Sequence, residues 1–77
     1  MKTKNYVNKN LSNRNFNWQD LTGADFTGAN LKNTKFYATM LYNATIEIKW
    51  MRHVGEQKPI GFECIHWIRI DDEKVSS

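Results

Sequence analysis

Ala24-Asp25-Phe26-Thr27-Gly28 is followed directly by Ala29-Asn30-Leu31-Lys32-Asn33. Each pentad starts with a small residue, continues with Asp or Asn, and has a large apolar residue at its centre. On both sides of this pair the large residue keeps returning at every fifth position: Tyr6, Leu11, Phe16, Leu21, Phe26, Leu31, Phe36, Leu41 and Ile46. The residue before each centre is Asn or Asp six times in succession, from Asn5 to Asn30, and then Lys35, Met40 and Thr45. Two before the centre, Ala24, Ala29, Thr34, Thr39 and Ala44 are all small. A period of five matches neither a helix, with about 3.6 residues per turn, nor a strand, which alternates about every 2. The stretch is therefore an internal repeat.

The motif, small residue, Asp/Asn, Leu/Phe and two further residues, resembles the pentapeptide-repeat family over residues 5–46. The resemblance implies an all-β fold, a short right-handed quadrilateral β-helix with one pentad per side and four per coil. Residues 5–46 would then make about two coils. Tyr6 would stack on Phe26 and Ile46, Leu11 on Leu31, Phe16 on Phe36 and Leu21 on Leu41. The resemblance also implies that the central residue and the small residue two before it point inward, and that the Asp/Asn bonds turn backbone. It further implies dimerisation through the C-terminal end.

Seventy-seven residues make one small domain, 1–77. The hydrophobic and charged fractions are those of an ordinary globular chain. No apolar run approaches the length of a membrane span. Met1-Lys2-Thr3-Lys4-Asn5 is basic, but no apolar run follows, so no secretory signal is expected. The single cysteine, Cys64, has no internal disulfide partner and suggests a reducing compartment. The expected location is the cytoplasm of a bacterial or phage-infected cell. Net charge is +3 and uneven: residues 1–19 hold Lys2, Lys4, Lys9 and Arg14 and no acid.

In the first coil the inward small position is occupied by Lys9, Arg14 and Gln19. Long polar side chains do not fit inside a narrow coil without partners. These residues mark an open end where the stems bend over the core, or else the regular repeat begins only near Asp20. Outward positions are mostly small or polar. Trp18, Tyr37 and Tyr42 break that pattern, and exposed Trp and Tyr are frequent interface anchors. Their plainer role is to cover a corner of the coil or to pack under the C-terminal segment. With Lys9 and Arg14 they are the candidate partner-binding residues.

After Ile46 the period stops. Residues 47–70 read as a capping and dimerisation segment, formed by an antiparallel β-hairpin around the turn Gly55–Pro59 or by a short helix over 47–54. In the hairpin, Phe62, Cys64, His66, Ile68 and Ile70 share one face, and Glu63, Ile65, Trp67 and Arg69 the other. Trp50, Met51, Phe62, Ile65 and Trp67 are the cap and dimer residues, and self-association as a homodimer is expected through them. Residues 71–77 read as a flexible acidic tail.

The chemistry of catalysis is not legible. Cys64 and His66 share a strand face, which supplies two metal ligands, and His53 would need the fold to bring it near. A nucleophilic thiol needs a base and an oxyanion site as well. Gly23 and Gly28 belong to the pentad period rather than to a phosphate loop. No catalytic residue, cofactor or metal is assigned, and no enzymatic activity is expected. The expected function is a protein-protein interaction module, in the setting of a small phage or mobile-element protein that modulates a host protein. The alternatives are a structural assembly component and a DNA-mimicking gyrase-binding protein of the family. Mimicry of DNA is opposed by the short repeat and the net charge of +3. Direct nucleic-acid binding by Lys2, Lys4, Lys9, Arg14 and Trp18 is disfavoured, because four terminal charges make a weak, salt-sensitive contact.

Overall fold

The computed structural model describes residues 4–69. The expected tail, together with Lys2 and Ile70, lies outside them.

Each pentad closes on itself before it pairs with anything else. The N–H three residues after each centre bonds to that centre's carbonyl, as in Lys9 to Tyr6 (3.1 Å) and Ala29 to Phe26 (2.9 Å). The residue two after the centre has a positive φ at all eight turns, from Asn8 to Asn43. That is the turn geometry in which Gly and Asn cost least. The Asp/Asn before the centre secures the turn: its side-chain oxygen accepts the N–H two residues on, at 2.8–3.1 Å from Asn5 to Asn30. This local bond is the physical reason for the run of Asn and Asp in the sequence. Where Lys35 interrupts the run, Asn17 from the pentad twenty residues earlier accepts the Tyr37 N–H instead, at 2.7 Å.

The turns stack. Parallel bridges join Asn5 to Asp25, Asn10 to Asn30, Asn15 to Lys35, Asp20 to Met40 and Asp25 to Thr45, each with a register of twenty. Pentapeptide pairing of this kind is a β-helix type of fold. The bridges start at Asn5, so the reading in which regularity begins near Asp20 does not hold. Lys9, Arg14 and Gln19 are exposed, while their carbonyls accept Asn30, Lys35 and Met40 N–H groups at 2.9 Å.

Between the stacked turns lies the core. Leu11, Phe16, Leu21, Phe26, Leu31, Phe36, Leu41 and Ile46 are all buried. Tyr6 stacks on Phe26 at 5.1 Å and Phe16 on Phe36 at 5.5 Å, and neighbouring columns meet edge to face. Buried Thr34 and Thr39 satisfy their hydroxyls on the carbonyls of Leu31 and Phe16, both at 2.7 Å. A buried hydroxyl without such a bond is costly.

The C-terminal third corrects the hairpin reading. Strand β1 (Thr45–Glu47) pairs with β2 (His66–Ile68), but in parallel. The chain between them leaves the coil through a 3-10 turn (Ile48–Trp50) and helix α1 (Met51–Gly55), so the short-helix alternative is the one observed. It returns at Ile60, which bridges Met40 in the same direction as every other bridge. A hairpin would have reversed that direction, and the existing parallel edge offered its bonds to a strand running the same way.

The long strand expected over 60–70 is also interrupted. Gly61 has φ 83°, and residues Phe62–Cys64 form a 3-10 turn. A Cβ on Gly61 would lie 2.8 Å from the Tyr42 ring, so only glycine fits. The turn adds one residue, and the register shifts from Met40–Ile60 to Thr45–His66. Strict alternation is thereby lost: Phe62 and Trp67, expected on opposite faces, meet at 5.5 Å. Glu47, at an outward position of the repeat, is buried where β1 pairs with β2.

Candidate interaction surface

Trp18 occupies a turn position with φ 68°, where the other turns carry Asn, Gly or, once, Ala. A bulky side chain in that region is an outlier. It costs roughly 1–2 kcal/mol by crowding between Cβ and the carbonyl. Burial does not offset the cost, because Trp18 is 73% exposed. Its ring meets Tyr37 edge to face at 5.5 Å, and its N–H bonds to the Tyr37 carbonyl at 3.1 Å.

Tyr37 is itself 51% exposed. The neighbouring side of the coil carries the bridged column Asp20, Met40 and Ile60, of which Ile60 is 40% exposed. Tyr42, also exposed, lies beyond, against Gly61. Among the described residues, four of the five exposed large apolar side chains, Trp18, Tyr37, Tyr42 and Ile60, thus frame one side of the coil, the fifth being Ile48. The structure brings Trp18 and Tyr37 into contact as a pair. Lys9 and Arg14 stand on other sides, where their main chains pair with Asn30 and Lys35.

The expected cap residues face the chain's own interior. Ile65 is buried, and Trp50, Phe62 and Trp67 pack against the core. Met51 is half-buried on α1. Trp50 Nε1 is buried with no hydrogen-bond partner among the described residues, and Lys49 Nζ sits 5.5 Å from that ring.

Helix α1 is tied down by two side chains to which the sequence reading assigned no such role. His53 Nε2 lies 3.0 Å from both oxygens of Thr34. The Thr34 hydroxyl gives its proton to the Leu31 carbonyl, so the ring nitrogen is the donor. Gln57 Nε2 donates to the Thr34 carbonyl at 2.7 Å, and Gln57 Oε1 accepts the Phe36 N–H at 3.1 Å. The only sequence signal for this is that Gln57 stands twenty-one residues after Phe36, close to the repeat of the ladder. A shallow groove beside the helix is lined by Asn17, Lys35, Tyr37, Glu56, Gln57 and Lys58.

The His and Cys residues are not gathered. His53 is engaged with Thr34, and Cys64 and His66 are exposed. Among the described residues no group of three or more His, Cys, Asp or Glu is placed to hold a metal ion. No helix among them is long and apolar enough to cross a membrane. The Asp20 carboxyl sits below its ordinary value of 3.8, because the Thr22 hydroxyl and then the Thr22 N–H bond to it. Desolvation opposes that shift, and the charge of Lys4 adds to it.

A parallel ladder repeating every twenty residues, with a turn in each pentad, defines a β-helix-type repeat protein. The chain belongs to the pentapeptide-repeat family: eight copies of the family's repeat match residues 10–47. Members of this family are in general interaction or structural modules without enzymatic activity. No curated protein and no solved structure matches the chain.

Proposed function

We propose that the chain is a non-enzymatic protein-interaction module, built on a right-handed quadrilateral β-helix of about two coils. The twenty-residue register with one turn per pentad supports four sides per coil. The right hand follows the usual rule for parallel crossovers. Residues 58–68 extend the ladder as a partial further coil on the C-terminal side.

The observation that carries the reading is Trp18, exposed and held at φ 68° against exposed Tyr37. The contact with Tyr37 is the internal return from a tryptophan in this strained, solvated turn, and it does no more than offset the strain. Backbone outliers of this kind concentrate at functional sites, and tryptophan and tyrosine dominate binding hot spots. In that role the chain would modulate a host protein, in the setting of a phage or mobile element.

The test is retention of a protein from bacterial lysate by the immobilised chain and by Trp18→Gly, with nuclease-treated lysate alongside. A protein held by the wild type in both lysates and released by Trp18→Gly is the expected result. Retention indifferent to Trp18 sinks the reading.

Self-association through residues 47–70 is a second reading, supported by Ile48 and Ile60, which stay exposed in that segment. Sedimentation of Ile48→Lys/Ile60→Lys beside the wild type decides it: a dimer unaffected by both changes excludes this route.

A further inference from the structure

The N-terminal end of the ladder is an unfinished edge. In each of these parallel bridges the second-coil residue bonds through its own N–H and C=O to the neighbours of the first-coil residue, as Asp25 does to Lys4 C=O and Tyr6 N–H, while the first-coil residue's own groups point the other way. Asn5, Asn10, Asn15 and Asp20 bridge only the next coil, so their own groups face away from it. Among the described residues these groups have no main-chain partner, and Asn15 C=O has only a 3.5 Å contact from Gln19 Nε2. The carbonyls two residues further on, as at Ser12, are equally free there, whereas their second-coil equivalents, as at Lys32, accept a bond. Each side of this edge therefore offers two acceptors for every donor.

The same end is cationic. Lys4, Lys9 and Arg14 are all exposed, and their carbonyls join the first coil to the second on three successive sides. Asp20 is the acid at the fourth side.

We propose that this end binds an acidic polypeptide segment, which adds its backbone to the free edge and sets its carboxylates against Lys4, Lys9 and Arg14. The proposal rests on the reading of the chain as an interaction module and names the chemistry of its partner. A polypeptide brings both N–H and C=O groups and answers both kinds of free group. A phosphodiester brings acceptors alone, and the edge already holds acceptors in excess, so a phosphate backbone answers the charge and the N–H groups but leaves the carbonyls unpaired. A second copy laid end to end would press Lys4, Lys9 and Arg14 against their equals. Stacked head to tail it would meet α1 and the turn after it, where Gln57 has already taken the Thr34 carbonyl and the Phe36 N–H. Adding a strand to an open edge is an established way of recognising peptides.

The experiment follows backbone amide signals of the full isotope-labelled chain by NMR. The probe is a short synthetic peptide of alternating Glu and Val. The other arms are the same peptide with Lys for Glu, and a short oligothymidylate. Expected are shifts and slowed exchange at the Asn5, Asn10, Asn15 and Asp20 amides with the Glu peptide alone. Lys9→Glu/Arg14→Glu should weaken that binding by about tenfold, since rim charges govern such contacts. Absence of binding by the Glu peptide overturns the proposal, as does oligothymidylate acting at these amides in its place. Shifts that grow with protein concentration alone identify a second copy and also overturn it. Shifts confined to Trp18, Tyr37 and Ile60 overturn it while leaving the interaction-module reading intact. That reading is judged separately by the dependence of retention on Trp18. The wild-type map stands even if the double variant fails to fold.

Discussion

Gln57 stands to Lys35 as Ile60 stands to Met40. Ile60 bridges Met40 by giving its N–H to the Thr39 carbonyl (2.8 Å) and accepting the Leu41 N–H (2.9 Å). Gln57 does the same around Lys35 with its side-chain amide, giving Nε2–H to the Thr34 carbonyl (2.7 Å) and accepting the Phe36 N–H on Oε1 (3.1 Å). A primary amide has the donor and acceptor of a peptide group. One side chain on the turn after α1 thus completes the ladder on the side where the main chain has become a helix.

Gln57→Leu should therefore leave the Phe36 N–H unpaired and the Thr34 carbonyl with His53 Nε2 as its remaining donor. The expected loss is about 1–3 kcal/mol, chiefly from the one unpaired donor. Gln57→Glu keeps the acceptor and loses the donor, and should fall between Gln57→Leu and the wild type. Urea unfolding gives the order; equal stability of all three would show that the amide is not needed.

Trp18→Asn should separate stability from function. Removing a bulky residue from φ 68° gains about 1 kcal/mol. Losing the edge-to-face contact with Tyr37 costs about the same. Thermal unfolding should thus change by no more than about 1 kcal/mol, while retention of the protein partner disappears. A large loss of stability would mean that Trp18 is structural.

Phe26 lies at the middle of the aromatic columns, touching Tyr6, Phe16 and Phe36, and is fully buried. Phe26→Ala should cost about 3–5 kcal/mol, and Phe26→Asp should abolish the fold. Circular dichroism and melting are the measurements, and an unchanged melt for Phe26→Asp would show the register to be wrong.

Gly61→Ala meets two obstacles: φ 83° and the Tyr42 ring at 2.8 Å from the new methyl. The expected loss is about 2–3 kcal/mol, the backbone share being roughly 1–2. In Tyr42→Ala the second obstacle is gone, so Gly61→Ala should cost less in that background. A double-mutant cycle reads the coupling, and simple additivity would place the whole cost in the backbone.

Asp20 sets an acid limit. Its carboxyl is lowered in the folded chain by the bonds from Thr22, so the folded state favours the ionised form. The resulting stability is full above the ordinary value of 3.8 and is lost as pH falls through the lower folded value. Asp20→Asn, which still accepts from Thr22, should flatten the fall of stability below that point. An unchanged acid profile would mean that other carboxylates carry it.

The repeat was legible because its physics is local. A centre such as Phe26 points inward because the turn at Thr27 and Gly28 is closed by Asp25 and by Ala29, all within one pentad. The same spacing made the stacking of Tyr6 on Phe26 and Phe16 on Phe36 readable. Trp18, Tyr37 and Tyr42 stood out as aromatics at outward positions, but their grouping on one side required the ladder to place Ile60 beside Met40. Alternation after Ile46 misled, since Ile48–Trp50 and Phe62–Cys64 are helical turns that a period of two does not describe.

The amino-acid sequence by itself determined the five-residue period, the inward set and the capped turns, because each is decided by neighbours along the chain. The tertiary structure alone decided the parallel return of β2, the docking of α1 and the use of Gln57 as a peptide substitute. Those choices were made by the free donors and acceptors that the second coil leaves open, roughly twenty residues away in sequence and adjacent only once the coil has closed.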